Sequence, residues 1–513
     1  MKLGIDFGTT RIIVAAVDRG NYPLVPFETS EGICDWFPSL VAVRREGDGS
    51  ECCYGWDAWD AQTRSGWTVI RSLKRCLEHA GPLTRLAVDG AEIPLGELLL
   101  GMASALRQDL QTRFGEREPL EVMLGVPANA NSNQRFLTVD AFQRAGFSVL
   151  GLLNEPSAAS IEFGHRQQIE GRLLVYDLGG GTFDVSLVEV DAKGTHTVLA
   201  SEGISNLGGD DFDLILAELA VGKEQLDSMV LSDLFRLDEE CRRQKEALHP
   251  NSRKIVVDLD VVREGMGQAT VTVASFYEQC RPLLEESVRL TARLAEGHDI
   301  EALYVTGGGS ELPLVARVLR EEFGRKVKRS EYTRSATAIG LAIQADTSSG
   351  YKLREMFTRN FGVWRETEAG QRMIFDAIFP RGTRLPAAGE PPLTVTRRYQ
   401  PVHNIGHFRY LEASHVEENC EPSGDITVWD EILFPFDPEL AEVQNLESVA
   451  VDRPARVRSE EIQEQYACDS AGVVAVTISN LTSNYERVYK LGKWSGKAPV
   501  ITPAKRRVRR AAS

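Results

Sequence analysis

The sequence lacks the patterns that mark several common protein classes. It contains no Gly-x-x-x-x-Gly-Lys-Ser/Thr run, which excludes a P-loop. None of its eight cysteines forms a Cys-x-x-Cys pair, which argues against a zinc or redox motif of that type. No stretch approaches the roughly 20 apolar residues of a membrane span, and strand-like residues begin at Lys2 without a signal-peptide core. We therefore expect free thiols, a reducing cytoplasm and no membrane partner.

Composition and charge are typical of a soluble chain with several domains. Its 513 residues suffice for two to four domains of roughly 100–200 residues each. The contents of 42% apolar and 26% charged residues are those of a globular protein. The net charge of −16 argues against a specific nucleic-acid partner. Residues 505–510 form a basic cluster, and we expect residues 493–513 to be a disordered basic tail because termini are usually loose.

Two matching glycine turns carry most of the functional signal. Each follows an aspartate and lies between apolar runs typical of a β-hairpin: residues 6–10 (Asp-Phe-Gly-Thr-Thr) and residues 177–182 (Asp-Leu-Gly-Gly-Gly-Thr). Glycine lets the backbone approach a bulky anion, and its N–H groups with the Thr hydroxyls can cradle phosphate. The aspartates would repel phosphate, so we expect a hydrated Mg²⁺ in between. Either turn alone could be an ordinary hairpin, but the repeat predicts a duplicated fold that grips a nucleotide from both sides.

Two later glycine turns extend this pattern. Residues 208–209 open a predicted helix, whose N-terminus is a ready anion site, and residues 307–309 follow a predicted buried strand. Other helices are predicted at residues 71–79 and 132–145, the second with Ser132 as its N-cap. Predicted strands and helices alternate over about 340 residues, which favours an α/β region with mixed sheets.

The sequence changes character near Asp346. Residues 347–350 (Thr-Ser-Ser-Gly) have the composition of a linker. Beyond Phe357, short alternating segments separated by Gly and Pro predict a small β domain. We therefore predict four units: an α/β domain at 1–346, an interdomain linker at 347–356, a β-sandwich domain at 357–492 and the tail at 493–513.

Hydrolysis of a bound nucleotide would need charge neutralisation at the phosphate and a positioned water. Asp6 and Asp177 could hold the hydrated Mg²⁺. Lys74 could neutralise phosphate charge and orient the water, although a solvated surface lysine is the alternative interpretation. Glu155, which precedes Pro156 in an apolar setting, could position water or metal.

These stretches resemble the heat shock protein 70 family, the DnaK-like and HscC-like chaperones, from residue 1 to about residue 346. The matching motifs follow the family's order and spacing: residues 4–10, 74–75, 126–128, 133–135, 154–159, 177–184 and 207–213. The β region resembles the family's substrate domain more faintly, at residues 361–363, 379–386 and 469–476. The resemblance implies a two-lobed, actin-like α/β ATPase domain with duplicated mixed-sheet subdomains, followed by a small all-β sandwich.

The resemblance also implies roles for individual residues. Asp6 and Asp177 would hold Mg²⁺, and Asp184 would lie near a monovalent cation such as K⁺. Pro127 and Arg135 would relay between nucleotide and partner domain. Four residues would carry the hydrolysis of ATP to ADP: Asp6, Lys74, Glu155 and Asp177. The remaining nucleotide-binding residues would be Gly8, Thr9, Thr10, Gly179, Gly180, Gly181, Thr182, Gly208, Gly209, Lys245, Gly307, Gly308 and Gly309.

The implied activity is that of an ATP-dependent chaperone in protein folding and the stress response. Its implied partners are unfolded or client polypeptides, a J-domain cochaperone and a nucleotide exchange factor. An extended apolar peptide would lie across the sandwich by backbone hydrogen bonds and side-chain pockets. Two alternatives stay open: a nucleotide-dependent switch or scaffold that docks one dedicated protein, and a sugar kinase of the same superfamily. The kinase needs a sugar-facing acidic base, which we cannot locate in the sequence.

Three positions depart from the family pattern around the adenosine. Arg242 stands where the family places a carboxylate against this group. Glu311 stands where the family usually has arginine, and Arg334 replaces an acidic residue. The adenosine contacts are therefore less firmly predicted than the phosphate contacts.

The connection to the β domain and the β domain itself also depart from the pattern. Residues 351–356 are far more charged than the family's leucine-rich linker. Docking of this linker would bury less apolar area, at roughly 25 cal/mol per Å², so we expect weak or differently built coupling. We expect no helical lid after the β domain, and hence fast, weak peptide binding. His403, His407 and His415 lie in an irregular stretch, and we do not assign them a metal, since geometry rather than count makes a site.

Overall fold

A computed structural model describes residues 1–29, 32–47, 49–77, 80–81, 83–167, 169–367, 372–386, 390–443, 445–470, 472–490 and 500–501. Within these residues the chain forms two α/β lobes and a β-sandwich. Parts of three predicted segments lie outside the described residues: residues 78–79, residue 471, and residues 493–499 and 502–513 of the predicted tail.

The first lobe and the helix that follows it are built from these elements: β1 Lys2–Phe7, β2 Arg11–Ala16, β3 Phe27–Thr29, β4 Gly32–Cys34, β5 Phe37–Pro38, β6 Leu40–Glu46, β7 Gly49–Tyr54, α1 Gly55–Ala61, β8 Thr68–Arg71, β9 Arg85–Val88, β10 Ala91–Pro94, α2 Leu95–Phe114, β11 Glu121–Val126, α3 Ser132–Arg144, β12 Ser148–Asn154 and α4 Glu155–Arg166. The central sheet has the order β12-β11-β1-β2-β5. Helix α2 covers it with an apolar stripe at helical spacing: Leu95, Leu98, Leu99, Met102, Leu106 and Leu110.

The second lobe contains these elements: β13 Gly171–Leu178, β14 Phe183–Val190, β15 Thr195–Ile204, α5 Gly209–Val221, α6 Lys223–Ser228, α7 Leu231–Glu246, β16 Lys254–Asp258, β17 Gln268–Thr272, α8 Val273–Ala295, β18 Ala302–Thr306, α9 Pro313–Phe323, β19 Val327–Arg329, α10 Ala336–Ala345 and β20 Lys352–Arg354. Its sheet has the order β19-β18-β13-β14-β15-β20. In both lobes an antiparallel hairpin (β1–β2, β13–β14) has a parallel strand (β11, β18) beside its first strand. This repeat confirms the predicted duplicated, mixed-sheet fold.

Small residues let helices α4 and α10 pack closely between the lobes. A side chain at Gly340 in α10 would collide with the carbonyl oxygen of Ala158 in α4. A side chain at Gly4 in β1 would likewise collide with the backbone of α10 at Ala338. Because these contacts join backbone to backbone, α10 holds the β1 hairpin and α4 in fixed relative positions.

The β domain is a sandwich of two antiparallel sheets. Its strands are β21 Asn360–Thr367, β22 Arg372–Phe379, β23 Leu393–Tyr399, β24 Ile405–Val416, β25 Pro422–Pro435, β26 Ile462–Cys468, β27 Val474–Asn480 and β28 Tyr485–Lys490. One sheet has the order β22-β21-β24-β25 and the other β23-β26-β27-β28. Alternate residues of both sheets meet in a buried apolar core that includes Phe361, Phe379, Tyr410, Trp429, Phe434 and Val476. The predicted all-β sandwich is confirmed.

Several local predictions differ from the structure. The N-cap of α3 is Asn131, whose side chain accepts from Gln134 N, and Ser132 is the first helical residue. The segment predicted to have helical character, residues 71–79, contains a short 3₁₀ helix at Leu73–Leu77. Val500–Ile501, within the predicted disordered tail, form strand β29 beside β9. All eight cysteines are described and free, as predicted. Among the described residues, no helix has the length and apolar character needed to cross a membrane.

The predicted linker is part of the second lobe's sheet. Strand β20 pairs in parallel with β15, and Leu353 lies opposite His196 and is buried. Next to it, the buried carboxylate of Glu355 accepts from the backbone N–H of Asn154 at 3.0 Å. The sequence predicted coupling that is weak or differently built, and the contacts of this segment are of the second kind. Backbone pairing and a polar contact replace the apolar area that the sequence lacks.

Candidate active site

The tips of the β1–β2 and β13–β14 hairpins face each other across the cleft between the lobes. A Cβ on Gly180 would lie 2.8 Å from Thr10 Oγ1, and one on Gly181 would lie 2.6 Å from Thr9 Oγ1. Glycine therefore permits the close approach of the two turns. Arg75 of the Leu73–Leu77 turn links the first lobe to the second hairpin, since its guanidinium donates to Gly181 O at 2.6 Å.

The other two glycine turns border the cleft from the second lobe. Gly209 N donates to Gly179 O at 3.0 Å, and a Cβ on Gly208 would lie 2.6 Å from a carbonyl oxygen of the β13–β14 turn. Gly307 has a φ of +83°, and a side chain there would collide with the Asp177 carboxylate. The backbone of all these turns is thus exposed to one shared space.

Most of the residues predicted for the nucleotide site line this cleft. They are Asp6, Gly8, Thr9, Thr10, Lys74, Glu155, Asp177, Gly179, Gly180, Thr182, Gly209, Lys245, Gly307, Gly308 and Gly309. Gly181 and Gly208 lie behind them, against Thr9 and the β13–β14 turn. Asp184, Pro127 and Arg135 lie elsewhere, as described below.

The cleft floor holds one buried cation among several carboxylates. Lys74 Nζ donates to Glu155 Oε1, and both side chains are buried. Burial opposes the charge on Lys74, but Glu155 and Asp6 outweigh this effect and raise its pKa above the usual value. Burial and the charge of Glu155 raise the pKa of Asp6 to about 7 and that of Asp177 well above the ordinary range. A cation is needed to balance this negative charge.

Asp6 and Asp177 fit a hydrated rather than a directly ligated metal ion. In the described part of the chain, no group of three or more His, Cys, Asp or Glu side chains could hold a metal ion. Mg²⁺ commonly keeps several waters and takes one or two carboxylates together with substrate phosphates. Burial is the largest cause of the raised pKa of both aspartates, and the charge of Glu155 adds to it, so a bound cation would stabilise their ionised forms.

Asp184 and Pro127 border a second cavity that adjoins the cleft. Asp184 Oδ1 accepts from the backbone N–H of Ala128 at 3.0 Å, and burial raises the pKa of Asp184 to about 7. Pro127 directly precedes Ala128. Lys74 and Thr182 line both this cavity and the nucleotide cleft. Pro127 is therefore connected to the cleft through a neighbouring backbone group and one carboxylate.

Arg135 lies where α3 meets the β domain and its connecting segment. Its guanidinium donates to Asn154 Oδ1 at 2.6 Å, and Asn154 Nδ2 donates to Glu355 at 2.6 Å. Asn154 directly precedes Glu155 in the chain. Three residues before Arg135, Ser132 N donates to Glu412 of β24 at 3.2 Å. Glu355 and Glu412 were not predicted from the sequence, because nothing local distinguishes them from surface glutamates.

The far end of the cleft carries the departures from the family pattern. Arg334 pairs with Glu311 at 2.5 Å and with Glu246 at 3.2 Å. Arg11 reaches across from the first lobe to Glu246 at 2.9 Å. Although burial opposes it, these arginines lower the pKa of Glu246 to about 2. The unusual residues at 311 and 334 thus compensate each other as an ion pair, while Arg242 also lines this end.

Sequence reasoning missed part of the lining. The additional cleft residues are Arg11, Ile13, Asp210, Asp213, Glu246, Thr333 and Thr337. Asp213 belongs to a motif that was recognised, and its partner Lys245 lies 2.6 Å away. Thr333 has no local signal, because it enters the site through its carbonyl oxygen, which accepts from Gly307 N at 2.7 Å.

The three histidines of the β domain do not converge on one point. Each contacts its own neighbour: His403 with Glu366 at 3.1 Å, His407 with Glu431 at 3.1 Å, and His415 with Ser414 at 3.0 Å.

The comparisons with known proteins agree with the fold and the cleft. The model of the family described as Hsp70 protein matches residues 102–405. The Chaperone protein HscA homolog of Chromobacterium violaceum is 31% identical over 435 residues, which cover 79% of this chain and 68% of the relative. The homolog of Burkholderia multivorans is 30% identical over 448 residues, covering 80% and 70%. The Chaperone protein HscA of Pectobacterium atrosepticum is 31% identical over 421 residues, covering 76% and 65%. The chain therefore belongs to the Hsp70 family of chaperones, ATPases that use ATP and Mg²⁺ and work with client polypeptides and J-domain cochaperones.

Proposed function

We propose that this protein is an ATP-driven chaperone in which hydrolysis in the cleft controls the binding of client polypeptide by the β domain. The observation that carries the proposal is a continuous polar path from the cleft floor to the β domain. Glu155, which holds Lys74, is joined through Asn154 to Glu355 of the connecting segment. Nucleotide-dependent movement of Glu155 would therefore shift Asn154 and Glu355, and with them the start of the β domain.

The residues of the cleft floor divide the chemistry of ATP hydrolysis between them. The reaction joins a water oxygen to the terminal phosphorus, breaks its bond to the bridging oxygen, leaves that electron pair on ADP and releases one proton. Lys74 has a raised pKa and stays protonated at neutral pH, so it neutralises phosphate charge and orients water and does not accept the proton. Glu155 fixes the Lys74 ammonium. Bound Mg²⁺, held through water by Asp6 and Asp177, would neutralise charge on the phosphate oxygens.

The glycine turns and the side chains around them bind the rest of the nucleotide. The backbones of the four turns and the hydroxyls of Thr9, Thr10 and Thr182 surround the phosphates. Lys245, which also donates to Gly209 O at 2.7 Å, supports the nucleoside side. Asp184 would hold a monovalent cation such as K⁺, which would supply a counter-charge to its buried carboxylate.

Pro127 and Arg135 connect the cleft with the β domain. Pro127 acts through Ala128 on Asp184, and Arg135 acts on Asn154, beside Glu355. We place the ATPase domain at 1–346, the connecting segment at 347–356 and the client-binding domain at 357–492. The free thiols support a cytoplasmic location. A J-domain cochaperone and a nucleotide exchange factor would act on the ATPase domain.

The decisive experiment is peptide-release kinetics with and without ATP. A fluorescent, extended apolar peptide is bound to the full-length protein, and its release is followed after ATP is added. We expect ATP to speed release, and we expect Glu355→Ala to remove that acceleration while ATP hydrolysis continues, because it deletes both contacts to Asn154. The matched control is Glu421→Ala, which changes an exposed glutamate of the β domain.

Three outcomes separate the competing functions. Peptide release that ignores ATP in the unaltered protein would favour a nucleotide switch that docks one dedicated partner. ATP consumption that starts only when a sugar is added would favour a kinase. Loss of the ATP effect in both variants would contradict the proposed route through Asn154.

A further inference from the structure

A second cavity lies behind the nucleotide cleft, between the lobes and the β domain. Its inner wall contains Lys74, Thr182 and Asp184, and its outer wall contains Thr358, Arg359 and Arg381. Lys74 and Thr182 also line the nucleotide cleft, so the two spaces meet at these side chains. The innermost residues are buried, whereas Ser205, Asn206 and His415 at the outer edge are exposed. The cavity therefore leads from the cleft floor to the surface.

This inference rests on the proposed hydrolysis of ATP. In the proposed function, the hairpin tips would hold the phosphates, and the end of the cleft near Arg242 and Arg334 would hold the nucleoside. After hydrolysis, ADP therefore stands between the new inorganic phosphate and the nucleoside end of the cleft. We propose that phosphate leaves through the second cavity, past Thr182 and Asp184, while ADP is still bound.

The side chains along the cavity can donate to a phosphate dianion. Four cationic side chains line it, Lys74, Arg75, Arg359 and Arg381, and each pairs with a carboxylate, in the same order Glu155, Asp211, Glu412 and Glu202. A guanidinium has five N–H donors, so a paired arginine can still donate to a passing phosphate. The arginines are anchored in place: Arg381 donates to Glu202 at 2.8 Å, and Arg359 donates to Thr427 at 3.2 Å. Anchored in this way, they line the passage without closing around the ion.

The β domain supplies the outer wall, so its docking controls the exit. Thr358, Arg359 and Arg381 all follow the connecting segment, and the Arg381–Glu202 pair joins the β domain to β15 of the second lobe. A change in docking would alter the width of the passage, because these three residues would move with the β domain. Docking of the β domain thus sets the rate of phosphate release, separately from the rate of bond breaking.

The test compares bond breaking with the appearance of free phosphate. Thr358→Trp fills the outer wall and Asn206→Trp fills the rim, while Thr394→Trp, at an exposed threonine of β23, is the matched control. Hydrolysis is measured by acid quench in a single turnover of the full-length protein, phosphate by a fluorescent phosphate sensor, and ADP release by a fluorescent ADP analogue. In the two filled variants we expect hydrolysis at the unaltered rate and phosphate release slowed at least about tenfold, equivalent to a modest rise in the exit barrier. The control should behave like the unaltered protein.

The outcomes distinguish this inference from the proposed function. Absence of hydrolysis in the unaltered protein would overturn the proposed function and the exit with it. Normal hydrolysis with phosphate appearing only together with ADP would overturn the exit alone. Unchanged phosphate release in the folded filled variants would do the same. If Thr358→Trp does not fold, Asn206→Trp carries the test, because position 206 is exposed and tolerates a larger side chain.

Discussion

Replacing Lys74 with methionine should separate the stability of the cleft from its chemistry. Lys74 and Glu155 have side chains that are only 7% and 10% exposed, and Asp6 and Asp177 share the same floor. Removing the ammonium leaves buried carboxylates without their cation. Breaking a buried ion pair from one side costs about 3–5 kcal/mol, and we expect Lys74→Met to lose this order of stability without nucleotide. Urea unfolding followed by circular dichroism measures the loss.

A double variant tests whether this loss comes from the uncompensated charge. Lys74→Met with Glu155→Gln removes both charges, so most of the stability should return. ATP turnover should not return, because the phosphate has lost its cation and the water its fixed neighbour. Loss of one preorganised group that stabilises developing charge lowers the rate by roughly 10²–10³, and both variants should fall at least this far. Turnover is measured as Mg²⁺-dependent phosphate production.

A surface lysine provides the matched control. Lys254→Met, at an exposed position in β16, should leave stability and turnover unchanged. The reasoning would be refuted if Lys74→Met kept turnover near that of Lys254→Met. It would also be refuted if the double variant regained turnover together with stability, since Lys74 would then be a structural residue alone.

Three further predictions concern burial, packing and charge. Burial lowers the pKa of His196 from 6.5 to about 4. The neutral side chain therefore contributes about 3 kcal/mol to the free energy of unfolding, which is fully present above pH 6.5 and is lost as pH falls through about 4. His196→Asn should flatten this dependence of stability on pH, as measured by urea unfolding. Gly340→Ala should destabilise the protein by about 1–3 kcal/mol, because the added Cβ meets the backbone of α4. Gly96→Ala should not destabilise it, because a Cβ there meets nothing within 4 Å. Differential scanning calorimetry compares the stability of the two variants. Arg334→Glu should weaken ATP binding, measured by titration calorimetry, and should lower stability by only about 1 kcal/mol, since the Arg334–Glu311 pair is partly exposed. Adding Glu311→Arg should restore both the affinity and the stability.

The residues that line the phosphate end of the proposed site could be predicted, because glycine turns flanked by Asp and Thr are local sequence patterns. Close approach to an anion requires glycine, and the repeat of Asp, Gly and Thr at residues 6–10 and 177–182 indicated two equivalent hairpins. Lys74 was less certain, since a lone lysine reads like a surface residue. Its burial depends on Glu155, which is 81 residues away in the chain. The 3₁₀ helix at Leu73–Leu77 is shorter than the segment whose composition is helical.

The nucleoside half was not predictable in the same way. Arg334 and Glu311 each depart from the family pattern, so the adenosine contacts were less firmly predicted than the phosphate contacts. Only their separation of 2.5 Å shows that they form an ion pair. The same is true of Glu246, which becomes important because Arg11 reaches it from the other lobe. Pairs of this kind depend on distance in space, and a single sequence contains no measure of that distance.

The sequence by itself determined the class of fold and the duplicated hairpins, because turn geometry is a property of short segments. Tertiary structure alone decided how the β domain is joined to the cleft. The charged segment at 351–356 lacks the leucine-rich character of the family's linker, yet β20 extends a sheet edge and Glu355 accepts a hydrogen bond from Asn154. Backbone hydrogen bonding at a sheet edge needs no particular side chain. The partner of β20 therefore leaves no trace in its sequence and is fixed only when the whole chain has folded.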